Sequence, residues 1–505
     1  MTRLTHTLAL VGLLCGVLSA WPVIARITSP NLLNVKRLEA VKLSSRGPNA
    51  EEAVAPPRVK NITFANPKAS QFFVDGTTIP EVNFDVGPSW AGLIPISAAP
   101  DESRKLFFWF FPPGLEGSLD DLIFWTNGGP GYSSLEGLLK ENGPFLWGPG
   151  QARPTQNEYS WTNLSSVLYV EQPVGTGYSQ GTPDAKNEND VAAQLVGFLQ
   201  QFLEIFSELK GKKFYFSGES QYAGMYIPYI ANFIFENTRS TLDLDLQGLW
   251  MNDPVLSWDI VHRQIPAVDF VHKYEHVFAF NHTFLAQLDS VATMCNYSDY
   301  MAKHVTYPPQ GLLPLPGAST DIDLACEAWD VIIGAAQLIN PAFNIYHVLD
   351  TSVLWDVWGF PVSAQDTLVY YDRADVKGVI HAPLTVDWEL SNFDGPDVFP
   401  DGDVSLPPAF TVLPNGIEKS KRSVIVHGLA DFILIAKGTR IVLQNFQVAG
   451  MQGFREPLLN DSFIVDGVGA LGKMQSERGL TYVEISLAGH QVPGYSPVAS
   501  LQVMK

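Results

Sequence analysis

Three polar residues of this 505-residue chain have the types and settings that acyl transfer needs. Ser220 stands in Ser217-Gly218-Glu219-Ser220-Gln221-Tyr222-Ala223-Gly224, between a short apolar run that ends at Phe216 and a stretch with helical character. Gly218 permits a sharp turn, and the small residues beyond it allow a helix to approach a sheet closely. A serine on such a strand-to-helix turn exposes its hydroxyl beside a helix N-terminus, whose N–H groups can stabilise an oxyanion. The hydroxyl is a weak nucleophile and requires a base. His490, in Ala488-Gly489-His490, follows another apolar run and fills that role. Asp431, in Gly428-Leu429-Ala430-Asp431, follows a third run and can orient the imidazole and stabilise its charged form. A rival pattern also occurs. His272-Lys273-Tyr274-Glu275-His276 matches H-x-x-E-H, which on one continuous helix would place two zinc ligands on a shared face around a glutamate base. No third ligand is apparent, and five-residue patterns arise by chance.

The elements that must position these residues are short apolar runs bounded by turn residues. They are Lys105 to Phe111, Leu122 to Trp125, Val167 to Val170, Phe214 to Phe216, Leu246 to Met251, Ser423 to Val426 and Tyr482 to Leu487. Such runs suit buried parallel strands. Between two of them, Asn187 to Leu209 carries Val191, Leu195, Phe198, Leu199, Phe202, Phe206 and Leu209 at helical spacing. Strand–helix alternation predicts an α/β protein with a largely parallel sheet, whose strand C-termini gather loops along one edge. The order Ser, Asp, His, each after a strand, is that of the α/β-hydrolase fold. The alternation breaks between 256 and 369, which predicts a helical insertion, or cap. The expected organisation is a signal peptide over 1–20, a leader or propeptide over 21–57, core over 58–255, cap over 256–369 and core again over 370–505.

Composition narrows the function. An apolar share of 46% and a charged share of 17% describe a globular chain. A net charge of −20 disfavours phosphate backbones and anionic membranes, so a nucleic-acid partner is not expected. Arg3 followed by the apolar stretch Leu8 to Leu18 and the small residues Ser19 and Ala20 reads as a secretory signal, too short to span a bilayer as an anchor. In an oxidising compartment Cys295 and Cys326 form an even pair. A bridge between them would close a loop of about 30 residues and stabilise by roughly 3–4 kcal/mol. Asn61, Asn163, Asn281, Asn296 and Asn460 each begin an N-x-S/T sequon and are glycosylation candidates. The expected destination is outside the cell, with the vacuole as the other candidate.

Five longer blocks resemble the serine carboxypeptidases, in particular the secreted fungal members. They are Trp125 to Pro144 (W-T-N-G-G-P-G-Y-S-S-L-E-G-L-L-K-E-N-G-P), Glu171 to Ser179 (E-Q-P-V-G-T-G-Y-S), Ser217 to Pro228 (S-G-E-S-Q-Y-A-G-M-Y-I-P), His427 to Asp431 (H-G-L-A-D) and Ala488 to Pro493 (A-G-H-Q-V-P). The resemblance runs from about Phe64 to near the C-terminus. It implies Ser220 as nucleophile, His490 as base and Asp431 as orienting acid. It places the oxyanion hole at the N–H groups of Gly129 and Gln221. It assigns the substrate's terminal carboxylate to Asn127, Gly128, Glu141 and Glu219. Two glutamates near a carboxylate repel it unless protons are shared, and shared protons turn that repulsion into strong hydrogen bonds. Such a site favours a free C-terminus and acidic pH. It implies peptide and protein substrates, with no metal and no organic cofactor.

The sequence departs from the family pattern at three places. Gln221 stands between the nucleophile and Tyr222, where the family has Tyr directly after the serine. One extra residue at a helix start rotates the rest of the helix by about 100° unless the turn absorbs it. Tyr132 stands where the family usually has a cysteine, and Gln491 replaces a common Met. The extra Gln221 leaves two other readings open, an acyltransferase using the same triad and a member whose catalysis is impaired.

Overall fold

The computed structural model describes residues 59–238, 242–314, 324–350, 369–391 and 397–505. The signal peptide and leader expected over 1–57 lie outside them. One twisted sheet organises the chain. Its strands are β1 (Phe73–Val74), β2 (Ser89–Pro95), β3 (Lys105–Phe111), β4 (Ser118–Asn127), β5 (Ser165–Glu171), β6 (Lys213–Glu219), β7 (Asp245–Asn252), β8 (Arg422–Gly428), β9 (Leu459–Val465), β10 (Gly469–Glu477) and β11 (Leu480–Ile485). They lie in the order β1-β2-β3-β5-β4-β6-β7-β8-β11-β10-β9. The block from β5 to β11 through β4, β6, β7 and β8 is parallel. The flanks β1–β2–β3 and β11–β10–β9 are antiparallel. This is the mostly parallel α/β sheet that strand–helix alternation predicts.

Lys105–Phe111 corrects one expectation. It is antiparallel to both β2 and β5. Its unbroken aromatic run reflects burial on both faces, which pattern alone cannot distinguish from parallel pairing. Phe108 and Phe110 join the layer formed with Phe198, Phe202 and Phe206, while Phe107, Trp109 and Phe111 pack on the opposite face with Tyr169 and Tyr178. The helix on the first face, α1 (Glu188–Ile205), starts at Asn187, whose side chain accepts from the N–H groups of Asn189 and Asp190. It ends four residues earlier than its apolar spacing suggests. Phe206 leaves helical geometry at φ −106° and ψ 58°, and a 3-10 turn carries Ser207–Leu209. Phe206 and Leu209 stay buried in the same layer, so the hydrophobic spacing outlasts the helix. The last strand of the parallel block is also displaced, running Leu480–Ile485 rather than Tyr482 to Leu487, because Leu487 turns outward at φ 61° and is 74% exposed.

The long connection between β7 and β8 holds helices α3 (Ile265–Lys273), α4 (Glu275–Phe278), α5 (His282–Met294) and α6 (Ala328–Ile339). A Cys295–Cys326 disulfide ties the end of α5 to the turn before α6. This segment grips the loop after β8. Phe270, Phe278 and Trp329 pack on Phe432, and the Trp329 indole N–H donates to the Phe432 carbonyl at 2.7 Å. The H-x-x-E-H pattern does not lie on one helix. Tyr274, at φ −112° and ψ 31°, separates α3 from α4. His272 and His276 are therefore on different helices, both exposed, and His272 Nε2 faces Asp289 Oδ1 at 2.7 Å. All five sequon asparagines are exposed. Among the described residues no helix is long and apolar enough to cross a membrane.

Candidate active site

The C-terminal ends of adjacent parallel strands place polar residues side by side. Asn127 of β4 pairs in register with Glu219 of β6, and Glu219 with Asn252 of β7. Ser220 comes next after Glu219, at φ +83°. That left-handed conformation costs a non-glycine residue about 1–2 kcal/mol, and the surroundings hold it. Ser220 N–H donates to Asn252 O at 3.1 Å, and Ala223 N–H donates to Ser220 O at 3.1 Å.

Helix α2 (Ala223–Phe233) begins only at Ala223, so Gln221 and Tyr222 both lie in the turn. Gln221 is fixed by its backbone, whose carbonyl accepts from Val255 N–H at 2.9 Å. The turn thus takes up the additional residue, and the helix still packs tightly: a Cβ on Gly224 would lie 2.4 Å from Val255 O. The loop after β4 passes equally close to the start of α2. A Cβ on Gly128 would lie 2.6 Å from the backbone nitrogens of Tyr222 and Ala223.

His490 and Asp431 meet Ser220 from the far side of β7. His490 Nε2 is 3.1 Å from Ser220 Oγ, and its Nδ1 is 2.8 Å from Asp431 Oδ2. An ionised Asp431 only accepts, so Nδ1 carries the proton toward it and Nε2 is left to accept from the serine hydroxyl. Asp431 is fully buried, and its Oδ1 accepts from the N–H groups of Ile433 at 2.8 Å and Leu434 at 3.3 Å. The His490 backbone is held at both ends. Its N–H donates to Tyr346 O at 2.7 Å, and its carbonyl accepts from Asn252 Nδ2 at 2.7 Å. The Tyr346 ring leans over the imidazole with centroids 5.5 Å apart.

Beside this chain lies a buried acidic group. Asn127 Nδ2 donates to Glu219 Oε2 at 2.7 Å, and Asn127 Oδ1 accepts from the Trp125 indole at 2.8 Å. Glu141 faces both Glu219 and Asn127. Burial, with repulsion from Glu136, holds the Glu141 carboxyl well above the usual carboxylate range. Burial, with the charge of Glu141, does the same to Glu219. At acidic pH these carboxyls carry protons, and they can donate to an anion that would otherwise be repelled.

Tyr132, the residue in the cysteine position, pairs with Ser391 through the backbone, and its hydroxyl faces Tyr346 and Ser391. A non-covalent contact therefore joins the loop after β4 to the chain near 391. Gln491 occupies the N-cap position of the short helix Val492–Tyr495 that follows His490, without a side-chain capping bond.

Several residues of the site carry no signal that spacing reveals. Asp253 and His427 lie against Asp431, and Glu171 lies beneath the 128–134 loop. Each is a polar residue within one position of the C-terminal end of a buried apolar strand, and Glu171 and His427 also open two of the family blocks.

Comparison with known proteins gives the family. The family model for serine carboxypeptidases matches residues 80–505. A probable serine carboxypeptidase of Arthroderma benhamiae is 43% identical over 487 residues, covering 91% of this chain and 90% of that one. Serine-type carboxypeptidase F of Aspergillus niger is 37% identical, covering 92% of each chain. The crystal structure of a prohormone-processing carboxypeptidase from Saccharomyces cerevisiae superposes with a TM-score of 0.66 at 22% identity, over 86% of this chain and 95% of that one, which supports the fold. The chain belongs to the serine carboxypeptidase family and is a serine-type carboxypeptidase, a hydrolase acting on peptides.

Proposed function

We propose that Ser220 attacks the carbonyl of the last peptide bond, with His490 as base and Asp431 as the residue that orients and stabilises the imidazolium. The observation that carries this reading is the continuous chain Ser220 Oγ–His490 Nε2 and His490 Nδ1–Asp431 Oδ2, at 3.1 and 2.8 Å. His490 takes the serine proton, then gives it to the leaving amino group, and water repeats the sequence on the acyl-enzyme. The N–H groups of Gly129 and Gln221 stabilise the oxyanion. Neither donates to a hydrogen-bond partner among the described residues of the turn and loop. Asn127, Gly128 and the protonated Glu141 and Glu219 receive the terminal carboxylate, which restricts cleavage to a free C-terminus and favours acidic pH.

The same reading places the enzyme outside the cell, with the vacuole as the other destination. Its support is the N-terminal signal pattern, the Cys295–Cys326 bridge and the exposure of all five sequons. Segment 256–369 is read as a cap on the core, and Asn61, Asn163, Asn281, Asn296 and Asn460 as glycan sites. A blocked dipeptide with a free carboxylate at about pH 4.5, where protonated glutamates bind it, tests the chemistry against the same dipeptide as its C-terminal amide. Release of the terminal amino acid, slower from the amide and lost in Ser220→Ala, is the expected result. Equal cleavage of both substrates overturns the assignment of Asn127, Glu141 and Glu219.

A further inference from the structure

We propose that Asp253 is a positioning residue for the base: a neutral carboxylic acid that donates a hydrogen bond to Asp431 and lengthens the Ser220–His490–Asp431 chain by one proton. The inference rests on the triad reading above. Asp253 follows β7 at φ 43°, and its N–H donates to Val426 O at 2.9 Å. It is fully buried, as are Asp431 and His427. One polar atom from each of the three lies within 4.8 Å of the others. Gly428 N–H donates to Asp253, 3.0 Å from Oδ1 and 3.3 Å from Oδ2.

His427 fixes where the proton is. Its Nε2 is 2.8 Å from Leu434 O, 3.1 Å from Asp253 Oδ1 and 3.9 Å from Asp431 Oδ2. Facing a carbonyl, Nε2 must carry a hydrogen. Nδ1 lies 3.1 Å from the Thr439 hydroxyl, which can donate to it. His427 is thus satisfied as a neutral ring, and burial favours that form. With His427 neutral, two fully buried carboxyls lie side by side with no charged side chain between them, and both cannot ionise together. Asp431 receives N–H groups from Ile433, Leu434 and His490, so it keeps the charge. Asp253 has the weaker set, Gly428 N–H and a shared edge of His427, so it keeps the proton. The other ionisable groups around Asp253 reinforce this. Glu141, Glu219 and Tyr482 of β11 lie within electrostatic reach of it, and the Arg440 guanidinium near Tyr482 is paired with Glu484. A proton on Asp253 leaves Asp431 anionic while restraining its carboxylate, so that Oδ2 stays aimed at His490.

The test compares Asp253→Asn and Asp253→Ala in the full chain, reading kcat, KM and the pH profile of kcat with a blocked dipeptide. Organophosphate labelling of Ser220 in the wild type checks the triad separately, since absence of labelling there faults the triad and not Asp253. Asn reproduces a neutral acid, with its amide donating to Asp431 and its oxygen accepting from Gly428. Asp253→Asn is expected to keep kcat within about threefold and to leave the acidic limb of the profile in place, because no charge is removed. Asp253→Ala is expected to lower kcat by about 10–100-fold with KM within about twofold. A shifted acidic limb in Asp253→Asn shows that Asp253 is charged and overturns the proposal. So does an unchanged kcat in Asp253→Ala. If the alanine variant does not fold, the asparagine profile decides alone.

Discussion

Glu219 Oε1 lies 3.7 Å from His490 Nε2, on the residue that immediately precedes the nucleophile. One side chain therefore stands between the group proposed to recognise a terminal carboxylate and the group proposed to move the proton. In the proposed reading, substrate recognition and base catalysis share a wall.

If Glu141 and Glu219 receive the carboxylate as proposed, KM should depend on pH. Burial holds the Glu141 and Glu219 carboxyls well above the usual carboxylate range, so in the proposed role they would donate to the substrate carboxylate in acid and repel it once they ionise. KM should rise as pH climbs from about 4 to about 8. In Glu141→Gln that position stays neutral at every pH, and the rise should shrink by about tenfold while kcat at about pH 5 changes little. Steady-state kinetics across the range checks this, and an identical rise in the variant contradicts it.

Stability should also favour acid. Glu171 is fully buried, accepting from the Ser133 hydroxyl, from Tyr178 N–H at 2.6 Å and from the Trp388 indole at 3.0 Å. Burial outweighs these donors and pushes its carboxyl up to about 7. With the folded pKa above the unfolded one, its contribution is complete below the unfolded value near 4.5 and is lost as pH rises through about 7. The loss by about pH 8 is on the order of 3 kcal/mol. Calorimetry should find Tm falling over that interval, with a flatter course in Glu171→Gln.

Gln221 should matter through its backbone alone. Its carbonyl anchors Val255, and its N–H is the donor proposed for the oxyanion. Gln221→Ala keeps both, so kcat should stay within about threefold; losing an oxyanion donor would cost roughly 10²–10³. Gln221→Pro removes the N–H and should show that larger loss.

The aromatic layer between β3 and α1 should carry stability without touching chemistry. Phe108 is fully buried against Phe202 and Phe206. Phe108→Ala should cost about 3–5 kcal/mol in denaturant unfolding. Turnover per folded molecule should be unchanged, as titration with an active-site label would report.

The parallel core strands are legible because each is a short apolar run ending in turn residues, and Ser220, Asp431 and His490 are legible because each follows such a run. Strand direction is not. Phe107 to Phe111 is buried on both faces, and burial does not encode whether a neighbour runs parallel. The flanking β9–β10 hairpin leaves little trace because Leu459 and Ile464 face solvent and the strands alternate too weakly. The end of α1 is hidden by Phe206, which keeps helical spacing after the helix has stopped. H-x-x-E-H looks continuous in sequence, and only the backbone at Tyr274 breaks it. Asp253 reads in sequence only as half of a turn dipeptide, Asp253-Pro254, because its partners His427 and Asp431 lie about 175 residues away in the chain and meet it only through the β7–β8 pairing.

The most direct test treats the protein with an organophosphate and locates the adduct by peptide mass spectrometry, together with release of the last residue from a blocked dipeptide. The expected result is one adduct, on Ser220, with release falling in proportion to labelling and absent in Ser220→Ala. Release that persists in Ser220→Ala, or an adduct on another residue that tracks the loss of activity, contradicts Ser220 as the nucleophile.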